Sequence, residues 1–270
     1  MGRRIGIIAG SGTFVSGVVS ELRRRGTRCV VLAIKGESSP GLEDAADVLL
    51  AVKPGELRRA IDFFKKHRVT RLLLLGKVWP GVVFRRQSFD VETWRQLEKI
   101  KERSASGVLE AAIAFLETQG FKVLSPAPFL APFFYGPGVL TRSVPSEAVL
   151  EDIRFGLGIA GQLADLEIGQ ALVVKGGVVV AVEGTEGTDR AILRGGRLAG
   201  PGSVVIKAGR TTQDMRVDVP AVGLDTVKAL LRAKGAALAI EAGKVALFQR
   251  EEAVSLADAH RASIVIQAGR

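Results

Sequence analysis

The chain has 270 residues, of which 47% are hydrophobic and 24% charged, and its formal net charge at pH 7 is +10. These proportions exclude disorder over the whole chain, and no apolar run approaches the ~20 residues that span a bilayer. The single cysteine, Cys29, excludes an internal disulfide framework. We therefore expect a soluble protein of a reducing, cytoplasmic compartment, whose excess of basic residues indicates an anionic partner.

The first half of the sequence predicts strands that alternate with helices. The apolar runs are "RRIGIIAG", "TRCVVLAI", "ADVLLAV" and "TRLLLLGKV", and the helical patterns between them end near Arg25 and in "PGELRRAIDFFKKH". Each strand is a continuous apolar run, which is typical of a parallel sheet covered by helices on both faces. Residues 91–118 then read as mostly helical, and "FKVLS" reads as a further short strand.

The segment "YGPGVLTRSVPS", residues 135–146, is the best candidate for a domain boundary, because it holds two prolines and two glycines with little periodicity. We therefore predict an N-terminal domain over 1–138 and a C-terminal domain over 139–270. The second half predicts a helix over about 146–166 and a hairpin that turns at Lys175-Gly176-Gly177. It then predicts a helix from Thr188, strands at "GSVVIKAG" and "DMRVDVP", and a helix over 225–234. The last predicted elements are a second hairpin turned at Ala242-Gly243, a final helix and the strand "ASIVIQA".

The glycine loop Gly10-Ser11-Gly12 lies between a predicted strand and a predicted helix. Backbone N–H groups at such a helix start can bind a phosphate or nucleotide, although a merely structural turn fits the sequence equally well. The dinucleotide fingerprint is incomplete, because Val15 stands where a third glycine is expected and Lys35 where an acidic residue is expected. These departures argue against an NAD(P)-linked oxidoreductase.

Nucleophile–histidine catalysis and zinc chemistry lack the residues that they need. The two histidines, His67 and His260, lie in the polar ends of predicted helices and neighbour no serine or cysteine motif. Cys29 lies in an apolar run and reads as a core residue rather than a nucleophile. Carboxylates remain, and these suit Mg²⁺ or Mn²⁺ bound together with phosphate oxygens.

Two carboxylate clusters are candidates for such a site. In "AVEGTEGTDR", Glu183 ends a strand and Glu186, Thr188 and Asp189 occupy the glycine-rich link to a helix, although Thr188 as N-cap and Asp189 in the first turn are equally well explained by helix capping. In "DMRVDV", a strand would place the side chains of Asp214, Arg216 and Asp218 on one face. Spacing alone does not decide between a charged surface strand and an acidic site.

The motifs "GIIAGSG", "LLLGKV", "LEIGQALVVKGGVVVAVEGTEGTD" and "IKAGRTTQDMRVDVPAVGLDTV", in this order, resemble the LpxI-type UDP-2,3-diacylglucosamine pyrophosphatases over nearly the whole chain. The resemblance implies a Rossmann-like N-terminal domain, a distinct α/β C-terminal domain, and substrate bound between them. The implied reaction is metal-dependent hydrolysis of UDP-2,3-diacylglucosamine to UMP and 2,3-diacylglucosamine 1-phosphate in lipid A synthesis.

The resemblance also implies roles for particular residues and partners. The aspartate of the family's R-V-D-x-P motif is essential for catalysis and matches Asp218 here. Lys207, Arg216 and Lys77 are then candidate charge partners for the diphosphate. The expected partners are the UDP-linked diacyl sugar and, at the periphery, inner-membrane lipids rather than nucleic acid. A homodimer is left open, since the sequence does not fix the oligomeric state.

One segment departs from the family pattern. Where such proteins read like "DRSDDSLL", this chain reads "ERSASGVL", so that Ala105 and Ser106 replace an acidic pair. If the pair assists metal binding or positions substrate, this protein is slower, altered in substrate, or a non-catalytic nucleotide- or lipid-binding homologue. If the pair only caps a helix, Ser104 or Ser106 can replace it.

Overall fold

A computed structural model describes residues 4–12, 14–36, 41–53, 56–76, 105–212, 214–216 and 219–269. The chain divides into two compact units. The first comprises Met1–Leu130 and Asp214–Asp218, and the second comprises Ala131–Gln213 and Val219–Arg270. None of the described helices is both long enough and apolar enough to cross a bilayer.

The first unit contains a parallel five-stranded sheet in the order β3-β2-β1-β4-β5. Its strands are β1 Arg4–Ala9, β2 Arg28–Ile34, β3 Val48–Val52, β4 Arg71–Leu75 and β5 Lys122–Val123. Its helices in the described residues are α1 Phe14–Arg24, α2 Leu42–Ala45, α3 Leu57–Lys66, α4 Ala105–Thr118 and α5 Ala127–Leu130.

This strand order confirms the Rossmann-like prediction for the N-terminal half, because doubly wound sheets extend outward from β1 in both directions. Strands β1, β2 and β4 are largely buried because each is a run of apolar side chains, whereas β3 at the edge of the sheet is only partly buried. Val15, which replaces a fingerprint glycine, is fully buried in α1. Its side chain therefore packs where the dinucleotide fold keeps a glycine for close contact between helix and strand.

Cys29 is fully buried in β2, as the apolar run predicts. Burial raises the pKa of its thiol to about 12, and the nearby carboxylate of Asp47 acts in the same direction. We expect the native protein to resist a thiol reagent at about pH 8 and to react fully once denaturant is added, because only the thiolate is nucleophilic. Rapid labelling of the folded protein in a colorimetric thiol assay would contradict this burial.

The second unit contains a mixed six-stranded sheet in the order β6-β13-β11-β9-β7-β8 and a two-stranded parallel pair, β10 and β12. Its strands are β6 Gly138–Val139, β7 Ala171–Lys175, β8 Val178–Val182, β9 Val204–Lys207, β10 Ala221–Val222, β11 Ala237–Glu241, β12 Ala246–Leu247 and β13 Ser263–Gln267. Its helices are α6 Glu147–Asp165, α7 Thr188–Ala199, α8 Leu224–Arg232 and α9 Arg250–Ala259.

Both faces of this second sheet are covered by helices. Alternate residues of β7 and β9 enter two different cores, one packed against α6 and the other against α7, α8 and α9. The mixed sheet confirms the prediction of a distinct α/β C-terminal half. The hairpin at Lys175-Gly176-Gly177 is also confirmed, with β7 antiparallel to β8.

Three local predictions were wrong. The run after Gly243 does not form a hairpin with β11, because β12 pairs in parallel with β10 instead. The described part of "DMRVDV", residues 214–216, is a turn rather than a strand. Thr188 is the first residue of α7 rather than its cap, since Gly187 occupies the cap position with φ 85°.

Candidate functional site

The carboxyl edge of the second sheet brings together two charged residues that the sequence had singled out separately. β8 and β9 both run antiparallel to β7, and Ala171 of β7 lies between Glu183 on one side and Lys207 on the other. Residues in register point to the same face of a sheet, so both long side chains rise beside the single methyl group of Ala171. The small residue leaves the space in which they meet.

Thr188, at the start of α7, links these two side chains. Its hydroxyl donates to Glu183 Oε1 at 2.8 Å and accepts from Lys207 Nζ at 2.7 Å, while Lys207 Nζ lies 3.8 Å from Glu183 Oε2. The side chains of Lys207 and Glu183 are only 7% and 8% exposed, so their attraction is weakly screened by solvent. Lys207, Thr188 and Glu183 thus form a buried polar chain in the "EGTEGTD" motif.

Glu186 of this motif has partners other than the polar chain. Glu186 Oε1 accepts from Arg194, and its Oε2 accepts from the N–H of Gly184 at 3.1 Å. The hydrogen bond from Arg194 lowers the pKa of the Glu186 carboxyl, so Glu186 stays ionised at neutral pH. Asp189 is exposed on the first turn of α7.

Two of the three carboxylates predicted as metal ligands, Glu183 and Glu186, already accept hydrogen bonds from protein side chains. No group of three or more His, Cys, Asp or Glu side chains suited to a metal occurs in the part of the chain that the structure describes. A metal at Glu183 or Glu186 would share the carboxylate with the Thr188 hydroxyl or the Arg194 guanidinium. The described residues alone do not fit Mg²⁺, and the assignment of Glu183, Glu186 and Asp189 as its ligands stays a prediction.

Three acidic side chains hold the loop that follows β9. The N–H of Gly209 donates to Glu241 Oε2 at 3.0 Å, Arg210 pairs with Glu167 at 2.7 Å, and the N–H of Thr211 donates to Asp165 at 2.6 Å. Glu241 is fully buried at the end of β11, and its second oxygen lies 2.9 Å from Lys244 Nζ. Sequence reasoning missed Glu241, whose only signal was a carboxylate at the end of an otherwise apolar strand.

Asp214 and Arg216 face each other across a turn. The N–H of Arg216 donates to Asp214 Oδ1 at 2.9 Å, and its guanidinium binds the same carboxylate, with Nη2 2.8 Å from Oδ2. These hydrogen bonds hold the pKa of Asp214 below its usual range and raise the pKa of Arg216. Each side chain is 41% exposed, so Arg216 is held in position while it remains accessible to an anion.

The glycine loop lies at the carboxyl end of β1, beside β4, where the sheet order changes direction. Ligands of doubly wound folds bind at such a switch point. Gly76 directly follows β4 with φ 86°, and a Cβ there would lie 2.7 Å from the carbonyl oxygen of Ser11 and 2.8 Å from the carbonyl carbon of Gly10. The backbone of Gly10 and Ser11 thus packs against Gly76, which was not singled out from the sequence.

Replacing Gly76 by alanine should perturb this loop, because the methyl group would clash with its backbone. Gly26 is the matched control, since its φ of 74° is similar but a Cβ there meets nothing within 4 Å. Each alanine should cost about 1 kcal/mol for the left-handed backbone, and only Gly76→Ala should cost about 2 kcal/mol more. Equal melting curves for the two variants would show that the close contact is unimportant.

Lys77 and Asp218 lie outside the described residues, as do Gln213 and Val217. Ala105 and Ser106 lie in α4, and their side chains are not described. The predictions made for these residues therefore rest on the sequence.

The fold and the site define a two-unit α/β protein that joins a Rossmann-type sheet with a glycine loop to a second sheet whose carboxyl edge holds a buried Lys–Thr–Glu chain. Family models for the LpxI N-terminal domain and the LpxI C-terminal domain match residues 4–133 and 136–265. The chain therefore belongs to the LpxI family. It is 26% identical over 269 residues to the UDP-2,3-diacylglucosamine pyrophosphatase LpxI of Caulobacter vibrioides, covering 95% of this chain and 94% of that protein.

Similarity to solved structures is weak. UDP-glucose 4-epimerase from Thermotoga maritima is 16% identical with a TM-score of 0.27, over 54% of this chain and 42% of that one. Glycinamide-RNase-transformylase T from Mycobacterium tuberculosis is 14% identical with a TM-score of 0.24, over 67% of this chain and 44% of that one. Each match covers less than half of the solved chain, and at these scores it supports no inference.

Proposed function

We propose that this protein hydrolyses the diphosphate of UDP-2,3-diacylglucosamine to UMP and 2,3-diacylglucosamine 1-phosphate. The observation that carries the proposal is the match of both LpxI family models, which together extend over residues 4–133 and 136–265. The relative from Caulobacter vibrioides, aligned over 95% of this chain, is named for this activity. An identity of 26% supports the reaction class more strongly than the exact substrate.

The C-terminal residues have the chemistry that a diphosphate requires. Lys207 carries a buried ammonium group beside the motif "EGTEGTD", and Arg216 presents a guanidinium that Asp214 orients. A diphosphate must have its charge offset before water can attack phosphorus, and fixed cations do this at low reorganisation cost. We assign Lys207 and Arg216 to phosphate binding, and Thr188 and Glu183 to holding the Lys207 ammonium.

Asp218 is proposed as the central catalytic carboxylate, on the match of "RVDVP" to the family motif. Mg²⁺ or Mn²⁺, when bound, would supply further positive charge at the phosphate oxygens. The glycine loop at Gly10, Ser11 and Gly12 is proposed to bind an anionic group of the nucleotide through backbone N–H groups. The cytoplasmic location, peripheral contact with lipids and a homodimer remain predictions.

The proposal is tested by incubating the purified protein with UDP-2,3-diacylglucosamine in detergent micelles and measuring UMP by chromatography. We expect steady release in the presence of Mg²⁺ or Mn²⁺ and loss of release when a chelator is added. If a chelator leaves the release of UMP unchanged, the metal dependence is refuted. The absence of UMP under every metal condition would refute the activity.

A second candidate function is binding of a nucleotide or lipid without catalysis. Its support is the replacement of the family's acidic pair by Ala105 and Ser106. This candidate predicts that the substrate raises the melting temperature without any release of UMP. Restoring the pair with Ala105→Asp/Ser106→Asp should then create turnover, whereas an active wild-type chain should need no such change.

A further inference from the structure

Four neighbouring strands of the first sheet begin with a basic residue. In sheet order these are Arg28 of β2, Arg4 of β1, Arg71 of β4 and Lys122 of β5. Parallel strands begin at the same edge of a sheet, so the four cations share its amino edge. The glycine loop lies at the opposite edge, about 20 Å away along a strand of this length. This cationic edge is therefore separate from the candidate nucleotide site.

The strand register places these cations side by side. Arg4 and Arg28 are direct partners in the β1–β2 pair, and Arg71 and Lys122 are direct partners in the β4–β5 pair. The end of α3 lies beside the first pair, because Arg4 donates a hydrogen bond to the carbonyl oxygen of His67. An open cleft of about 170 Å³ at this point is lined by Arg4, Arg28, Val30, Lys66, His67 and Arg68.

None of the described carboxylates neutralises this edge. Over the described ranges, no ion pair involves any of its basic side chains, namely Arg4, Arg28, Lys66, Arg68, Arg71 and Lys122. The arginines at the end of α1 differ, because Arg24 and Arg25 pair with Glu21 and hold the pKa of its carboxyl at about 2. The described carboxylates of this unit thus leave the cations of the edge available to another anionic partner.

The helix dipole explains only part of this cluster. Lys65 and Lys66 lie in the last turn of α3, where positive charge is favourable. Arg4 shares this reason in part, because it donates to the carbonyl oxygen of His67 at the end of α3, whereas Arg28 makes no contact of this kind with the described residues. The two like charges begin neighbouring parallel strands and repel each other. An arrangement that is unfavourable in the free protein becomes favourable when an anion bridges the two guanidinium groups.

We propose that this cationic edge docks on anionic phospholipid headgroups. A cleft of about 170 Å³ is smaller than the ~300–1,000 Å³ pockets that enclose a drug-sized ligand, and it suits a single phosphate group. A row of several Lys and Arg side chains is the arrangement that attracts proteins to anionic bilayers. No Phe, Tyr or Trp lines the cleft for base stacking. The choice of lipid rather than nucleic acid rests on the proposed function, since a diacyl substrate resides in a membrane.

The test compares two triple variants that remove the same charge. Arg28→Gln/Lys66→Gln/Arg68→Gln neutralises the edge, and Arg24→Gln/Arg58→Gln/Arg59→Gln removes three paired arginines from α1 and α3. Flotation with mixed phosphatidylcholine and phosphatidylglycerol vesicles measures binding. We expect the edge variant to bind about 100-fold more weakly, because each cation near an anionic surface contributes roughly fivefold, and the control to lose under about fivefold.

Four outcomes would overturn the docking proposal. The first two are that the wild type binds pure phosphatidylcholine vesicles as tightly as mixed vesicles, and that the edge variant binds mixed vesicles as tightly as the wild type. The third is that the two triple variants lose equal affinity for the mixed vesicles. The fourth is that the wild type binds soluble tripolyphosphate or duplex DNA more tightly than the mixed vesicles at the same phosphate concentration. Flotation requires no turnover, so it can be read even if the hydrolysis proposal fails. Melting curves and UMP release in detergent micelles, which we expect the edge variant to retain, separate a docking defect from misfolding.

Discussion

Replacing Asp218 by asparagine is expected to lower the rate of UMP release by about 10³-fold or more. The change removes one negative charge from the "RVDVP" motif with almost no change in size. Loss of a carboxylate that acts on the reacting groups costs 10²-fold to 10⁴-fold in general acid–base catalysis, and more when it also holds a metal. The measurement is kcat for UDP-2,3-diacylglucosamine, together with the substrate affinity of the inactive variant by calorimetry, which we expect to be retained.

Asp225 provides the matched control for this substitution. It lies seven residues further on, in the first turn of α8, and pairs with Lys228 at 3.0 Å with half of its side chain exposed. Asp225→Asn should leave kcat within about twofold, since an exposed pair of this kind contributes little. Full activity of Asp218→Asn, or equal losses in both variants, would remove Asp218 from the catalytic role.

Replacing Lys207 by methionine is expected to have the largest effect on stability. The ammonium group is buried against Thr188 and Glu183, and its removal would break the buried ion pair with the Glu183 carboxylate. Breaking a buried pair in this way costs about 3–5 kcal/mol of unfolding free energy. Urea unfolding followed by circular dichroism measures the loss, with Lys228→Met, an exposed Lys in an ion pair, as a control that should cost below about 1 kcal/mol.

A double variant separates the structural role of Lys207 from its proposed role in phosphate binding. In Lys207→Met/Glu183→Gln the buried charge is gone and Thr188 can still donate to an amide oxygen, so stability should largely return. Activity should not return, because no cation then remains at this position to bind the diphosphate. Recovery of both stability and activity would show that Lys207 is only structural.

The fold of the first half could be predicted from the sequence because each strand is a continuous apolar run between helical patterns. The hairpin at Lys175-Gly176-Gly177 could be predicted for a similar reason, since its turn signal is local. The partner of β12 could not, because a two-residue strand has no periodicity and its pairing with Ala221 and Val222 is distant in sequence. Local patterns therefore predicted the elements better than their partners.

The turn at Asp214 shows how a short alternating pattern misleads. "DMRVDV" has the period of a strand, but the Asp214 side chain accepts from the N–H of Arg216 two residues on and so stabilises a turn instead. A similar competition occurs at Thr188, whose hydroxyl bonds Glu183 rather than capping α7. Helix α7 also continues through Gly195 and Gly196. A Cβ on Gly195 would lie 2.6 Å from Val173, so the close packing of α7 on β7 explains the glycine inside the helix.

The polar chain was only partly predictable. Glu183, Thr188 and Lys207 were each singled out from the sequence, but nothing in their spacing showed that they would meet. Their contact depends on Ala171, which belongs to a different strand and is small enough for the side chains of Lys207 and Glu183 to meet beside it. Glu241 was missed for the same reason, because its partner Gly209 is 32 residues away.

Hydrolysis of the diphosphate bond is best tested by the identity of the products. UDP-2,3-diacylglucosamine would be incubated with the wild-type protein and with Asp218→Asn, and the products resolved by mass spectrometry. We expect UMP and 2,3-diacylglucosamine 1-phosphate in equal amounts from the wild type and neither from the variant. Release of UDP in place of UMP, or equal product from both proteins, would contradict hydrolysis of the diphosphate by Asp218.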